Sequence, residues 1–353
     1  MDLRRLEQQA RERLAPAAYD YYAGGADDEL TLADNVAAWR RLRLRYRVLR
    51  GVGAVSTATT VLGTRVAAPV LVAPTAYQRL ADDAGEAATA RGARTAGTVM
   101  VASTLATVSL EDVAAAAPDA PRWFQVYVRR DRGQTAELVA RAVAAGYRAL
   151  VLTVDLPVLG FRRRDEHHRF SLPVGMEMAN VGASVPQVAG SGLHAYAAGE
   201  IDPSLTFDDL EWLRSLSDLP LVVKGVVRGD DAAACVAAGA AGIAVSNHGG
   251  RQLDSAIATA DALPEVVAAA GDAAEVYVDG GVRGGTDVVK ALALGARAVM
   301  VGRPVLWGLA TGGEQGVVAV LDGFAEETAR AFALCGATTV EQVTGDLLAD
   351  PPR

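Results

Sequence analysis

A histidine and an arginine stand three residues apart in the segment 246–254, which reads SNHGGRQLD. His248 suits proton removal, because the ordinary pKa of histidine lies close to neutral pH. Arg251 suits carboxylate binding, because its guanidinium offers two parallel hydrogen bonds. A base beside a fixed cation predicts a site that holds an organic acid and takes a proton from it. The apolar run 241–245 before the motif indicates a buried parallel strand, at whose carboxyl end barrel enzymes carry their chemistry.

The elements that would position this motif repeat along the middle of the chain. Short apolar runs rich in β-branched residues predict eight strands, at 70–73, 98–102, 123–128, 149–154, 221–223, 243–245, 276–278 and 298–301. Alanine-rich stretches between most of them predict helices. Eight such units indicate a closed parallel barrel, although a doubly wound open sheet also uses this alternation. The count of eight, and the polar residue after almost every run, favour an α/β fold with a single TIM (β/α)8 barrel.

Two regions lie outside the repeat, and we expect one domain over 1–353. An N-terminal extension, 1–68, is predicted to hold short helices and an irregular basic stretch at 40–47, interpreted as a solvated edge or a subunit contact. The barrel should cover 69–310, followed by C-terminal helices over 311–353. A long segment at about 156–206, after the fourth strand, is interpreted as a mobile lid loop over the barrel mouth.

Composition restricts the class of protein. The chain has 353 residues and a formal net charge of −8, which argues against nonspecific nucleic-acid binding. Its apolar runs are too short for a membrane span, and the charged N-terminus lacks the pattern of a signal peptide. Cys235 and Cys335 are expected to be buried thiols, which indicates a cytoplasmic protein. No metal site is predicted, because the adjacent His167 and His168 lack partners at ligand spacing.

Two glycine-rich turns predict a phosphate site. The string DGGVRGG at 279–285 follows the seventh strand, and Gly302 and Arg303 follow the eighth. Barrels commonly bind phosphate at this position, where glycines expose backbone N–H groups and Arg283 can add charge. Lys224 ends the fifth strand and would need an anion if buried, such as a cofactor that becomes negatively charged during turnover. The alternatives are tight turns with solvent-facing arginines and a lysine that reaches solvent from the rim.

Seven ordered segments together resemble the FMN-dependent 2-hydroxy-acid oxidases and dehydrogenases, a family that includes glycolate oxidase, lactate oxidase, mandelate dehydrogenase and 4-hydroxymandelate oxidase. The segments are 73–76, 123–127, 152–155, 223–225, 246–254, 279–283 and 302–304. The string YDYYAGG at 19–25 also resembles the N-terminal motif of the family. The resemblance covers nearly the whole chain, implies FMN as the cofactor and implies a homotetramer.

The resemblance also implies a role for particular residues. His248 matches the active-site base, and Asp155 matches the carboxylate that stabilises its protonated form. The remaining predicted substrate and catalytic contacts are Tyr21, Tyr77, Leu105, Tyr127, Arg162 and Arg251. The predicted contacts to the flavin ring and ribityl chain are Ala73, Pro74, Thr75, Ala76, Ser103, Gln125, Thr153, Lys224 and Ser246. The predicted phosphate pocket consists of Gly280, Gly281, Arg283, Gly302 and Arg303, and Asp279 is a further predicted cofactor contact.

The implied activity is that of an (S)-2-hydroxy-acid oxidase, which converts its substrate to the 2-oxo acid. Oxygen is the expected electron acceptor, giving hydrogen peroxide, because no added haem domain is visible and Ala76 matches the alanine of many oxidases. Leu105 stands where glycolate oxidase has a large aromatic residue, and Tyr77 replaces a methionine. These two positions predict an aryl substrate such as mandelate or 4-hydroxymandelate.

Several alternatives stay open at the level of the sequence. They are a lactate or glycolate oxidase, a dehydrogenase with an acceptor other than oxygen, and a non-redox isomerase or lyase of a phosphorylated ligand on the same barrel. Besides a redox enzyme and a non-redox enzyme, a third class of function is a barrel that has lost catalysis and serves as a structural subunit. The sequence retains every charged site position, which argues against this class.

Overall fold

Strands and helices alternate through most of the chain, after three N-terminal helices. The computed structural model describes residues 1–349, and every structural statement below refers to these residues. The strands are β1 (Thr59–Val61), β2 (Thr64–Val66), β3 (Val70–Val72), β4 (Met100–Ser103), β5 (Arg122–Val126), β6 (Leu150–Thr153), β7 (Leu221–Val226), β8 (Gly242–Val245), β9 (Glu275–Val278) and β10 (Ala298–Val301). The helices are α1 (Leu3–Arg13), α2 (Pro16–Ala23), α3 (Leu30–Arg41), α4 (Gly85–Thr95), α5 (Leu110–Ala116), α6 (Arg132–Ala144), α7 (Arg163–His168), α8 (Gly192–Glu200), α9 (Asp208–Ser215), α10 (Gly229–Ala237), α11 (Thr259–Ala270), α12 (Gly285–Ala293) and α13 (Arg303–Cys335).

The strands β3 to β10 close into a parallel barrel in chain order, and β10 pairs back onto β3. Successive side chains of a strand point to opposite faces. Each strand therefore contributes side chains both to the barrel interior and to the layer between the barrel and the helices. Leu71, Trp123 and Tyr277 fill the interior of the barrel, whereas Val72 and Phe124 pack outward against the surrounding helices. The predicted fold class, a single TIM barrel, is confirmed.

A short antiparallel hairpin, β1 with β2, precedes the barrel and was not predicted. Val61 and Val66 are buried in the same cluster as the barrel interior, so the hairpin covers one end of that interior. The backbone N–H of Leu62 donates to the Glu275 carboxylate over 3.0 Å at the start of β9, which identifies this end as the amino end of the strands. Strands of three residues show too little alternation to be recognised in the sequence.

The basic stretch at 40–47 folds back over the C-terminal part of the chain. The Arg47 guanidinium donates to the Asp346 carboxylate and to the carbonyl of Gln342. Arg41 forms exposed ion pairs with Asp34 and Asp261. These contacts lie within one chain; exposed ion pairs of this kind contribute little to stability.

The segment at 156–206, interpreted from the sequence as a lid loop, contains two helices, α7 and α8. Its helix signals are weak, because α7 has only six residues and α8 is rich in glycine and alanine. Arg129, buried after β5, donates to the Tyr196 hydroxyl over 2.9 Å and to the Glu200 carboxylate, which fixes α8. The role of a mobile lid stays a prediction.

The C-terminal part is mainly one long helix. The helix α13 starts at Arg303, directly after β10, and crosses the expected boundary at 310. It is interrupted at Gly312 and Gly313, whose backbone angles are not helical. No helix within residues 1–349 combines the length and the apolar character that crossing a membrane requires.

Candidate active site

One cavity lies at the carboxyl ends of the barrel strands, and residues from all eight strand ends line it. The predicted site residues in its lining are Tyr21, Ala73, Pro74, Thr75, Ala76, Ser103, Leu105, Gln125, Tyr127, Thr153, Arg162, Lys224, His248, Arg251, Asp279, Gly280, Gly281, Arg283, Gly302 and Arg303. Tyr77, Asp155 and Ser246 do not line it; each contacts a lining residue from behind.

His248 sits on a tight turn directly after β8. Three consecutive residues, His248, Gly249 and Gly250, have φ of 58°, 66° and 75°. This left-handed region costs a histidine more than a glycine, and such strain is concentrated at functional sites. A Cβ on Gly250 would lie 2.6 Å from the backbone nitrogen of Leu32, so α3 approaches the turn closely. The turn aims the imidazole into the cavity.

The imidazole is oriented from behind by a carboxylate. His248 Nδ1 lies 2.9 Å from Asp155 Oδ1, and the other Asp155 oxygen is buried with no hydrogen-bond partner among the described residues. Burial lowers the pKa of His248, and the charge of Asp155 offsets this only in part. Burial would raise the pKa of Asp155, but the charges of His248 and Lys224 outweigh it and leave that pKa lowered. The pair therefore consists of a buried carboxylate and an imidazole whose Nε2 is not bonded to Asp155 and faces the cavity.

Two arginines lie beside the histidine. Arg251 Nη1 donates to the carbonyls of Tyr21 and Gly24, and its guanidinium lies 4.8 Å from the centre of the Tyr21 ring. Arg162 is buried and donates to the Arg251 carbonyl over 3.2 Å. Burial and the charge of Arg251 lower the pKa of Arg162 to about 10. Their nearest carboxylate, Asp165, lies 3.7 Å from Arg162. A substrate carboxylate would compensate this excess of positive charge.

Tyr77 was predicted as a substrate contact, and the structure does not bring it to the cavity. Its side chain is fully buried, with ring centres 5.4 Å from Tyr21 and 6.1 Å from Phe170. Tyr22 donates its hydroxyl to the Tyr77 carbonyl over 2.6 Å. The left-handed backbone at Tyr77, with φ of 59°, turns the side chain away from the cavity. Tyr77 therefore supports the ring of Tyr21, which does line the cavity.

Three buried polar side chains at the strand ends match the requirements of a flavin, namely Lys224, Ser246 and Asp279. The Lys224 ammonium donates to Ser246 Oγ over 2.9 Å and lies 3.3 Å from Asp279 Oδ2. Burial lowers the pKa of Lys224, but the charges of Asp279 and Asp155 raise it by more. The pKa therefore lies above its ordinary value, and the lysine is a cation. Asp279 Oδ1 is buried without a hydrogen-bond partner in the described part of the chain. An unpaired acceptor fits a ribityl hydroxyl, and a fixed cation fits a ring that gains negative charge.

The end of this cavity that is predicted to hold the phosphate contains close-packed glycines and two partly buried arginines, Arg283 and Arg303. A Cβ on Gly281, with φ of 77°, would lie 2.1 Å from the Asn35 carbonyl, so only glycine fits. Arg303 donates to the carbonyls of Tyr22, Gly24 and Gly249 at 2.9 to 3.0 Å.

The two arginines have unequal freedom to bind an anion. Burial and the charges of Arg251 and Arg283 lower the pKa of Arg303 to about 9. Within residues 1–349, the Arg283 guanidinium donates only to the carbonyl of its own neighbour, Val282. Neither arginine forms a salt bridge within residues 1–349, so an anion between them is favoured. Arg283 keeps free donors for direct contact, whereas Arg303 acts mainly through its charge.

Sequence reasoning missed an apolar part of the lining. These residues are Leu156, Leu159, Leu193, Ala197 and Ile201. Three of them recur every four residues on or beside α8, which is the spacing of one helix face. That spacing was the available signal, but it was hidden in a segment interpreted as a loop. Gln252, buried behind the cavity, was also missed although it lies in the motif.

Comparisons with known proteins agree with this geometry. The family model described as FMN-dependent dehydrogenase matches residues 10–350. The chain is 52% identical over 350 residues to L-lactate oxidase of Nostoc sp., covering 97% of this chain and 96% of that protein. It is 49% identical over 353 residues to 2-hydroxyacid oxidase 1 of Homo sapiens, covering 98% and 95%. A crystal structure of mandelate oxidase with (S)-4-hydroxymandelic acid matches with a TM-score of 0.92 and 44% identity, covering 97% and 96%.

The chain belongs to the FMN-dependent dehydrogenase family, within which it groups with the 2-hydroxy-acid oxidases. It is an enzyme that uses FMN to oxidise a 2-hydroxy acid. The buried lysine, the unpaired Asp279 oxygen and the glycine turn fit this cofactor on their own chemistry.

Proposed function

We propose that this enzyme oxidises an aryl 2-hydroxy acid, such as mandelate or 4-hydroxymandelate, to the 2-oxo acid and passes the electrons to oxygen, giving hydrogen peroxide. The observation that carries the aryl substrate is the apolar side of the cavity. Its lining side chains, all buried, are Leu105, Leu156, Leu159, Leu193, Ala197 and Ile201. A phenyl group gains free energy from such a surface, whereas the hydrogen of glycolate gains none.

The residues around the cavity suggest how the reaction proceeds. Arg251 and Arg162 bind the substrate carboxylate, which fixes the hydroxylated carbon beside His248. The free Nε2 of His248 takes the proton, while Asp155 holds Nδ1 and stabilises the imidazolium that forms. Tyr127, from the end of β5, reaches the cavity with its hydroxyl protonated, because burial raises its pKa. FMN, when bound, would accept the two electrons and the second hydrogen of the substrate, which leaves the 2-oxo acid.

A lactate oxidase is the second candidate. The observation that favours it is the 52% identity to L-lactate oxidase of Nostoc sp.. Turnover of mandelate and lactate, both as single enantiomers under one set of conditions, separates the candidates. We expect a higher kcat/KM for mandelate, by roughly tenfold or more, because even one additional methylene in an apolar pocket gives about that ratio and a phenyl group is larger still than the methyl group of lactate. A strong preference for lactate would overturn the aryl proposal.

Filling the apolar side should reverse this preference. Leu105 is 7% exposed and lines the cavity after β4. In the variant Leu105→Trp we expect kcat/KM for mandelate to fall by roughly tenfold or more, since overpacking costs about 1–3 kcal/mol. Turnover of lactate, which does not need this space, should change much less. Equal losses for both acids would show that Leu105 does not contact the substituent.

Acidification should remove the activity through His248. Only the neutral imidazole accepts a proton, and its pKa lies below the ordinary value of 6.5 because of burial. We therefore expect kcat/KM to be flat through neutral pH and to fall about tenfold per pH unit below the lowered pKa. Rapid-mixing measurements of flavin reduction against pH test this. An acid limb centred above pH 6.5 would contradict the assigned environment of His248.

Oxygen as acceptor, the homotetramer and the cytoplasmic location stay proposals. Oxygen is supported by the names of the relatives, which are oxidases, and peroxide formation during turnover tests it. Light scattering of the FMN-loaded protein tests the tetramer. The two buried cysteines, Cys235 and Cys335, are unpaired, as in proteins of reducing compartments.

A further inference from the structure

Residues 155–162 pack against residues 251–252 along a seam between two parts of the site. The side chain of Gln252 uses its whole hydrogen-bonding capacity within this seam. Its Nε2 donates to the carbonyls of Asp155 and Val158, over 2.8 and 3.0 Å. Its Oε1 accepts from the Gly160 N–H over 3.1 Å and lies 3.4 Å from Arg162 Nη2. A carboxamide has two donors and one oxygen with two lone pairs, so its four partners match its full capacity.

Two of the four partners of Gln252, Asp155 and Arg162, are the residues of the segment after β6 to which we assign roles in the reaction. Its donor half fixes the main chain at Asp155, whose carboxylate orients His248. Its acceptor half contacts Arg162, which lies beside Arg251. Gln252 itself directly follows Arg251, four residues after His248.

The seam is packed without slack. A Cβ on Gly160 would lie 2.5 Å from the Gln252 carbonyl oxygen and 2.6 Å from the Arg251 carbonyl oxygen. The φ angle of Gly160 is not positive, so the glycine is required by this close approach. Gln252 is 8% exposed, and water therefore replaces few of its hydrogen bonds.

From these contacts we propose that Gln252 is a positioning residue that holds the Asp155–His248 pair at a fixed distance from the Arg162–Arg251 pair. The inference rests on the proposed roles of those four residues. Gln252 contacts the main chain of one pair and a guanidinium of the other, and it does not line the cavity. Its amide sets where the proton acceptor stands relative to the bound carboxylate.

The variant Gln252→Met tests this in the FMN-loaded enzyme, because methionine keeps the length of the side chain and removes all four bonds. We expect flavin reduction by mandelate or lactate to slow on the order of 10²-fold, the effect of a misplacement near 1 Å. We also expect weaker binding of oxalate, followed by the change in flavin absorbance. The acid limb of the pH profile should move to lower pH, because a displaced Asp155 no longer raises the pKa of His248.

Controls separate positioning from a general loss of structure. Gln342→Met removes an exposed amide that accepts from Thr338 near the opposite end of the barrel, and it should leave all three readouts unchanged. Gly160→Ala disturbs the same seam from the other side and should reproduce the slow reduction and the shifted pH profile. The double variant should be less than additive, as expected for residues that act together.

Two results would overturn the positioning role of Gln252. One is a flavin reduction rate in Gln252→Met within about threefold of the wild-type rate, and the other is an acid limb of the pH profile that does not move. If that variant does not bind FMN, Gln252→Glu decides, because its carboxylate still accepts from Gly160 and Arg162 but donates nothing to Asp155. Full activity of Gln252→Glu at neutral pH would overturn the proposal equally. If His248→Ala reduces flavin at the normal rate, the proposed function itself fails. If His248→Ala is slow but the Gln252 variants reduce flavin at the normal rate, only the role of Gln252 fails.

Discussion

Replacing His248 by alanine is expected to slow flavin reduction by substrate about 10²- to 10⁴-fold, the usual contribution of a general base. The imidazole, which we propose as the base, lines the cavity and is held at Nδ1 by Asp155 over 2.9 Å. Alanine leaves the cavity and the buried Lys224 in place, so the protein should still bind FMN and stay yellow. Anaerobic rapid mixing with mandelate or lactate, followed at the flavin absorbance, measures this step without the reaction with oxygen.

Two further variants make this result interpretable. His248→Asn keeps a residue type that tolerates φ of 58°, so it removes the base with little added backbone strain. His194→Ala removes an exposed histidine on α8 and should reduce flavin at the normal rate. Near-normal reduction in His248→Asn would exclude His248 as the base and require another group to take the proton.

The positions of the strands and of most site residues follow from a simple property of the sequence. A parallel barrel strand is buried on both faces, so each strand forms a short apolar run and its end is marked by the first polar residue. Thr153 and Asp279 are such residues, whereas Lys224 lies two residues before the end of β7, and all three line the cavity. Because all carboxyl ends of a parallel barrel meet on one side, a list of strand ends is already a list of neighbours.

What the sequence did not predict depends on direction and on long-range contact. Tyr77 follows a strand end as closely as the true lining residues, but its positive φ turns its ring behind Tyr21. Arg303 was predicted to bind phosphate, and this stays a prediction; the sequence did not indicate that three of its five N–H donors are directed at backbone carbonyls. Gln252 has partners about 90 positions away. No local pattern encodes which way a side chain points or which carbonyl it meets.

The variant Arg251→Lys is expected to weaken substrate binding and turnover together, by roughly 30-fold or about 2 kcal/mol, for loss of a charge-assisted fork. One arm of the Arg251 guanidinium is already used, since Nη1 donates to the carbonyls of Tyr21 and Gly24. The other nitrogens remain for the substrate carboxylate. A lysine keeps the charge but offers one nitrogen, which cannot hold the Tyr21 main chain and the substrate at the same time. Oxalate binding and kcat/KM, measured on the FMN-loaded protein, test this.

A matched control is available at the opposite end of the barrel. Arg122 is also buried, and its guanidinium donates to the carbonyls of Ala117, Ala120 and Ala145 at the start of β5. Arg122→Lys should therefore lower the free energy of unfolding while oxalate binding and kcat/KM stay unchanged. If Arg251→Lys bound oxalate as tightly as the wild type, the forked contact from position 251 would be excluded, and Arg162 would be the remaining guanidinium beside His248. A loss confined to Arg251→Lys, with retained FMN, would instead identify the forked geometry as the requirement, because the charge at that position is the same in both proteins.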